Sequence, residues 1–381
     1  MSTGADGLSG QDNGTGQDRT ARVHRGRSLP GGAVLWCHDA VTPTSDHRPP
    51  ARPTMAEIAA EAHVSVKTVS RVVNHHPGVR PDTAERVREI IRRTGFRRAG
   101  GLATIREGRT FTIGLVVEEL ANPFYSQIAA GVEREARMHR YHLITASAEN
   151  SPNRERAVVQ ALLARRVDGV VVVPAGEAPV ADPSLEAAGT PIVHLDRPVR
   201  GAHCDTVLSD NLGGMRSAVE HLVAHGHRRI GFLGDDPEFW TARQRRESFL
   251  ATHGSIGLPS PAPVVMGPHG PESVRAALAA WTEGPEPVTA LVTGNNRVTV
   301  LTLVALRDLG IALSLVAYDD FELAELVDPP VTAVHLDPAA MGEKAAQVLF
   351  ARLLGDESPP RTIVLPTRLV VRGSGRRPAR A

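Results

Sequence analysis

The chain predicts a small all-α helix-turn-helix head, joined by a hinge to an α/β core of two parallel-sheet subdomains. Three observations carry that expectation. Residues 54–74, TMAEIAAEAHVSVKTVSRVVN, hold two short helical patterns that meet at a tight turn. A third helical pattern follows from Pro81, and from Phe111 onward short β-rich runs alternate with amphipathic helices, the signature of parallel sheets covered on both faces.

Taken in order, Thr54 and Glu57 form a capping box at the start of the first helix, with Ile58, Ala59 and Ala62 on its apolar side. Ser65 caps the second helix, in which Val69, Val72 and Val73 face inward. Its outer face carries Val66, Lys67, Thr68, Ser70 and Arg71, hydroxyls suited to phosphate oxygens beside longer side chains that reach base edges in a major groove. Pro81 opens the third helix, and Val87, Ile90 and Ile91 recur at helical spacing to close a three-helix core. His63 stands in the turn between the first two helices. Then come the strand and helix runs FTIGLVV and 124–139; YHLITAS and 154–164; DGVVVVP; PIVHL and 211–225; RIGFLGD and 241–253; VTALVTG and 298–309; and SLVAYD.

These segments, read serially, are similar to the lactose-repressor (LacI/GalR) family of bacterial transcription regulators. VSVKTVSRVVN, GRTFTIGLVVEELANPFY, VDGVVVVP, HLDRPV, GHRRIGFLGD, the Asn295–Asn296 pair, YDDFELAEL and PPVTAV occur in that family's order. The resemblance implies a periplasmic-binding-protein-like core whose chain crosses between subdomains near residues 206, 335 and 365. It divides the chain into a head at 54–98, a hinge at 99–110, an effector-binding and dimerisation core at 111–372 and a flexible tail at 373–381. Residues 1–53, rich in Gly, Ser, Asp, Arg and Pro, are expected to be disordered, either a natural arm or an extension supplied by an upstream start codon.

Charge is distributed as this division requires. The 381 residues carry a net charge of only +1, but residues 54–109 hold 11 Lys and Arg against 6 Asp and Glu, while residues 110–381 hold 26 against 31. A basic head on an acidic body fits a DNA-binding module attached to a sensor. Two lysines among 43 basic residues mark an arginine bias of coding, so arginine counts alone say little. Cys37 and Cys204 offer no metal spacing or disulfide framework. With no secretory signal pattern and no apolar run of membrane-spanning length, a cytoplasmic protein is expected. GxxxxGK[ST], GxSxG and GxGxxG are all absent, which argues against an enzyme, and no metal or cofactor is expected.

In open parallel sheets, ligands sit beyond the carboxyl ends of the strands. That rule selects Glu118 and Glu119, Asp196 and Arg197, Asp235 and Asp236, Asn295 and Asn296, and Asp319 and Asp320 as cleft candidates. Carboxylates and amides beside an arginine suit polyols, whose hydroxyls both donate and accept. Strand-end Asp and Asn also cap the next helix, so each keeps a purely structural reading as well. The resemblance places effector contacts on Asp196, Arg245, Asn295 and Asp319; Glu118 joins them by position, and Phe124, Phe239 and above all Trp240 are candidates to stack on a sugar or a base.

For DNA, the resemblance implies base contacts from Val66, Lys67 and Arg71 and phosphate contacts from Thr54, Ser65, Thr68, Ser70 and Asn74. A minor-groove wedge would form at Ile105, flanked by Thr104 and Arg106. The partners expected are a double-stranded DNA operator, a small-molecule effector, most simply a carbohydrate, and a second copy of the chain; GSGRRPARA carries no leucine heptads to build tetramers. An inducer-released repressor and a corepressor-dependent regulator of nucleoside or purine response both remain open, and a periplasmic solute-binding protein would lack the head. Three departures from the family pattern stand out: Asn296 replaces the usual Asp, LGIALSLVAYDD is about four residues short, and His63 replaces a turn Gly.

Overall fold

The computed structural model describes residues 54–73, 76–94, 96, 109–177, 189–283 and 285–376. Asn74 and the hinge trio Thr104, Ile105 and Arg106 lie outside the described residues, as do residues 1–53 and 377–381. The chain divides into two compact units, one ending at Phe96 and the other beginning at Arg97.

In the first unit, α1 (Met55–Glu61), α2 (Val66–Val73) and α3 (Pro81–Thr94) enclose one apolar cluster. The capping box forms as its spacing predicts: Thr54 N–H donates to Glu57 Oε2 at 2.7 Å and Glu57 N–H donates to Thr54 Oγ1 at 3.2 Å. Ser65 accepts from Thr68 N–H at 3.1 Å, fixing the start of α2. Ile58, Ala62, Val69, Val72 and Val87 are buried, and each fully buried Val or Ile contributes roughly 1.5–3 kcal/mol. His63 adopts a left-handed backbone at φ 52°, so the turn keeps the geometry that glycine favours, at a cost of about 1 kcal/mol.

The second unit holds two six-stranded sheets. The first is built from β1 (Thr112–Val117), β2 (His142–Ser147), β3 (Gly169–Val172), β4 (Ile192–Leu195), β5 (Asp205–Ser209) and β11 (Thr362–Leu365) in the order β11-β5-β4-β3-β1-β2, all parallel. The second comprises β6 (Ile230–Leu233), β7 (Val264–Val265), β8 (Ala290–Thr293), β9 (Ser314–Tyr318), β10 (Thr332–His335) and β12 (Arg368–Val370) in the order β12-β10-β9-β8-β6-β7. Its edge strand β12 runs antiparallel to β10. Helices α4 (Pro123–Met138), α5 (Pro152–Ala164), α6 (Asn211–Ala224), α7 (Trp240–Ile256), α8 (Pro271–Thr282), α9 (Asn296–Leu309) and α10 (Pro338–Leu353) cover the sheets.

The chain passes between the sheets three times, after β5, after β10 and between β11 and β12. The first crossing follows Ser209 and so falls a few residues beyond the expected 206, because β5 itself belongs to the first sheet. Helix α10 returns to that sheet and packs on α4, where Gly131 and Gly342 are both buried at the crossing. The shortened segment between α9 and β9 is closed by Gly310 at φ 64°, a left-handed cap that turns the chain within four residues. Residues 373–376 correct the expectation of a flexible tail from 373. Ser374 is buried, and its Oγ accepts from Thr332 N–H and donates to Leu315 O, tying a short 3-10 turn (Ser374–Arg376) to the second sheet. No helix among the described residues is long and apolar enough to cross a membrane.

Candidate effector cleft and DNA-reading face

Strand direction builds the cleft. Glu118 directly follows β1, Asp196 follows β4, Asp319 follows β9, and Asp235 and Asn295 come two residues after β6 and β8. The carboxyl ends of both sheets therefore converge on a cavity of about 800 Å³, lined by all five of these residues together with Phe124 and Arg245. Asp196 and Asp319 sit at φ 69° and 64°, a backbone that disfavours most side chains but suits Asp and Asn, and that ends each strand abruptly at the cleft wall.

Arg245 reaches the cavity from α7. It is 5% exposed, and its Nε donates to Asn211 Oδ1 at 2.8 Å while Nη1 donates to Gly294 O at 2.7 Å and to Asp319 Oδ2 at 3.2 Å. Its guanidinium lies 3.9 Å from the centre of the Tyr318 ring. Arg197 forms a second such node: it pairs with Glu118, donates to Asn150 Oδ1 at 2.9 Å and covers the Phe239 ring at 4.5 Å. Tyr125 OH donates to the same Glu118 carboxylate at 2.7 Å. Both arginines are held by several fixed acceptors, which is how a buried guanidinium is kept in one orientation.

Three buried polar atoms of the cleft are left over, Oδ1 of Asp196, Oδ1 of Asp319 and Nε of Arg197. Asp196 is 4% and Asp319 8% exposed, and Oδ1 of each has no hydrogen-bond partner. Burial pushes the carboxyls of Asp196, Asp235 and Asp319 above the usual carboxylate range, against the opposing pull of Arg197 and Arg245. The folded state therefore holds these protons to higher pH than the unfolded chain does. Stability is expected to fall as pH rises from the ordinary carboxylate pKa through the raised ones, since the folded state binds more protons in that window. Asp196→Asn should flatten the decline, which urea titrations at a series of pH values would measure.

The remaining candidates divide. Asn295 lines the cavity but is largely committed, Oδ1 accepting Val298 N–H at 2.8 Å as the cap of α9 and Nδ2 donating to Asp235 Oδ2 at 2.5 Å. Phe124 lines the wall, edge-on to Tyr125. Trp240 is corrected: it is the first residue of α7 and does not line the cavity. At about 100° per residue, the helix face that presents Thr241 and Arg245, four apart, turns Trp240 out of phase. Its neighbour Phe239 lines the cavity instead. Tyr125, Asn150 and Asn211 went unselected; Tyr125 lies one residue past Phe124, and Asn150 three beyond the end of β2, just outside the strand-end rule.

Polar contacts also join the two subdomains across the cleft. Asn296 Nδ2 donates to Asn122 Oδ1 at 2.9 Å, Arg297 pairs with Glu119 at 2.6 Å, and Arg243 pairs with Glu177. An Asp at position 296, the family's usual residue, would bring an acceptor where Asn122 Oδ1 needs a donor. Among the described residues no group of three His, Cys, Asp or Glu side chains is placed to hold a metal ion.

In the head, Val66 is 46% exposed and Lys67 and Arg71 are also exposed, whereas Thr68 and Ser70 are half-buried. The hydroxyls of Ser65 and Thr68 lie 2.9 Å apart, so the expected phosphate ligands are partly engaged with each other at the start of α2.

A helix-turn-helix head carried with a two-sheet periplasmic-binding-type core defines a DNA-binding transcriptional regulator. Residues 54–99 match the model for bacterial regulatory proteins of the lacI family, and residues 219–375 match a periplasmic binding protein-like domain. The transcriptional regulator CelR of Thermobifida fusca is 30% identical over 85% of this chain and 98% of its own. PtxS of Pseudomonas plecoglossicida is 32% identical over 85% and 96%. Among solved structures, a CelR–cellobiose complex superposes with a TM-score of 0.62 at 30% identity, covering 85% of this chain and 100% of that one. The Lac repressor dimer bound to operator and the anti-inducer ONPF shares the fold at a TM-score of 0.70 and 24% identity, covering 85% and 99%. The chain belongs to the LacI family of bacterial transcription regulators.

Proposed function

We propose that the protein is a cytoplasmic, homodimeric repressor that binds a palindromic operator and releases it when a saccharide enters the cleft between the core subdomains. One observation carries the effector half of this reading: two buried aspartates, just past the ends of strands in different sheets, line one cavity, and each keeps an oxygen without a hydrogen-bond partner. A buried acceptor without a partner costs about 1–3 kcal/mol, which a ligand hydroxyl would recover. The cellobiose held by the related regulator supports a saccharide as the ligand class. Glu118, Asp196, Arg245 and Asp319 would grip its hydroxyls while Phe124 and Phe239 offer apolar faces. Closure of the subdomains on the ligand would then change the spacing of the two hinges and weaken the hold on DNA.

On DNA, Val66, Lys67 and Arg71 would read bases in the major groove, with Thr54, Ser65, Thr68, Ser70 and Asn74 at phosphates. Ile105, between Thr104 and Arg106, would wedge the minor groove at the palindrome's centre. Arg71→Ala is expected to cost about 1–3 kcal/mol on the specific site, by loss of a bidentate base contact, and to flatten preference at one base. Ser70→Ala should weaken all sequences more evenly. The test is selection of bound DNA from a random pool, followed by titration of the selected operator with saccharides. An unchanged consensus for Arg71→Ala would refute the assigned orientation of α2, and a ligand that tightened operator binding would make the protein corepressor-dependent instead.

A further inference from the structure

The inner wall of the cleft carries more negative charge than its partners balance. Among the described residues, eight carboxylate side chains and three guanidiniums line the cavity. Glu119 is matched across the mouth by Arg297, Asp320 is matched by Arg372 at 2.8 Å, Glu322 is exposed to solvent, and the half-buried Asp236 shapes its own turn by accepting Glu238 N–H at 2.9 Å. What remains deepest is Glu118, Asp196, Asp235 and Asp319 facing only Arg197 and Arg245, four carboxylates to two guanidiniums. Arg197 bonds Glu118 and Asn150, its Nε is without a hydrogen-bond partner and lies 3.8 Å from Asp196 Oδ2, and Arg245 is spent on Asp319, Asn211 and Gly294. Asp235 is served by neutral donors alone, the Asn295 amide and the Asp236 N–H.

The unpartnered oxygens of Asp196 and Asp319 therefore lie in a wall short of positive charge, four carboxylates to two guanidiniums. Burial raises both carboxyls against the pull of Arg197 and Arg245 on Asp196 and of Arg245 on Asp319, and Asp319 and Glu118 add smaller raising contributions at Asp196. A hydroxyl supplies one donor and itself needs a donor in return. A protonated amine supplies three donors, needs no acceptor and restores a missing charge. A carboxylate or phosphate would add acceptors and charge of the wrong sign to a buried site, the costly case.

We propose that the effector is a polyhydroxylated molecule bearing a protonated amine, an amino-sugar type of ligand whose ammonium is held by Asp196 and Asp319, and that the acid and phosphate forms of the same polyol are rejected. The inference rests on the reading of this cleft as the sensor site.

The test uses the full chain and matched probes. Glucosamine, glucose, glucuronate and glucose 6-phosphate form one set; the β-1,4-linked glucosamine disaccharide, cellobiose and cellobionate form the other. Thermal midpoint shifts and release of the selected operator are the readouts. The amine is expected to bind at least tenfold more tightly than its neutral parent in one set, with no response to the acid or phosphate. Asp196→Asn, which keeps a residue tolerant of the left-handed backbone, should erase most of that preference. It should also raise the midpoint of the unliganded protein by a few degrees, because it removes one of four buried carboxylates that share two guanidiniums. Asp319→Asn gives the second, independent variant. Equal or tighter binding of an acid or phosphate form would overturn the charge selection while leaving the sensor site standing, as would a lower unliganded midpoint for both variants. Silence toward every charge class in both sets would overturn the sensor reading itself and this proposal with it.

Discussion

Replacing Gly131 by Ala should destabilise the core by about 2–3 kcal/mol, although the same change on an exposed helix normally stabilises by up to about 1 kcal/mol. A Cβ at Gly131 would overlap the carbonyl oxygen of Ala339, and one at Gly342 would overlap the carbonyl oxygen of Ile128. The clashing atoms are backbone, so no rotamer change relieves them. Helices α4 and α10 would have to separate, loosening Ile128, Val132, Met341 and Leu349, all buried beneath the crossing. Because one separation admits both methyl groups, the double variant should cost much less than the sum of the single ones. Urea denaturation of Gly131→Ala, Gly342→Ala and the pair decides the matter. A single variant as stable as the wild type would show that the helices cross at a greater distance.

Much of this architecture can be read from the sequence because its signals are local. The Thr54–Glu57 box, the Ser65 cap and the inward spacing of Ile58, Val69, Val72 and Val87 depend on residues within a turn of one another, and the structure forms them as spaced. The strand-and-helix alternation from Phe111 was equally plain. Less legible were β5, whose DTVLS is buried at every position and so shows no alternation, and β12, a three-residue edge strand whose antiparallel direction depends on where β10 lies. Helix α10 escaped for another reason. Its sequence PAAMGEKAAQVLFARL is a good helix, but its assignment to the first sheet is a fact of chain crossing that no periodicity encodes. Ser374 likewise looks like tail sequence until its hydroxyl is seen to bond two segments more than forty residues away.

For the cleft, the strand-end rule proved more informative than residue chemistry. It collected Glu118, Asp196, Asp235, Asn295 and Asp319 from five separate strands, and all five line one cavity. It could not rank them. Asn295 and Asp196 look alike in sequence, yet Asn295 spends both amide atoms on α9 and Asp235, whereas Asp196 keeps an oxygen free. The error at Trp240 came from weighing the size and rarity of the side chain above its phase on the helix. Phe239, the neighbouring stacking candidate given less weight, is the ring that actually meets Arg197 across the cleft.

Replacing Asp319 by Asn should give a protein that folds and binds its operator but no longer answers to its ligand. The substitution is nearly isosteric, and Asn accepts the left-handed backbone at φ 64°, so strand β9 can still end where it does. It removes one member of an inner wall already rich in carboxylates, so lost repulsion from Asp196 offsets much of the lost attraction to Arg245. Arg245 retains Asn211 Oδ1 and Gly294 O. What changes is the acceptor: the oxygen offered to the ligand becomes neutral or, with the amide turned, a donor. The loss should be about 1–3 kcal/mol of ligand binding. Coupling between effector and operator in such switches is typically of the same size, about 5–150-fold, so a single contact is enough to silence the response. Arg245→Ala should also abolish the response but with a marked loss of stability, because it strips three hydrogen bonds and leaves Asp319 buried beside Asp196 without its cation. Operator titrations with and without ligand, run beside urea denaturation, separate the two effects. A wild-type shift retained by Asp319→Asn would place the sensing contacts elsewhere in the core.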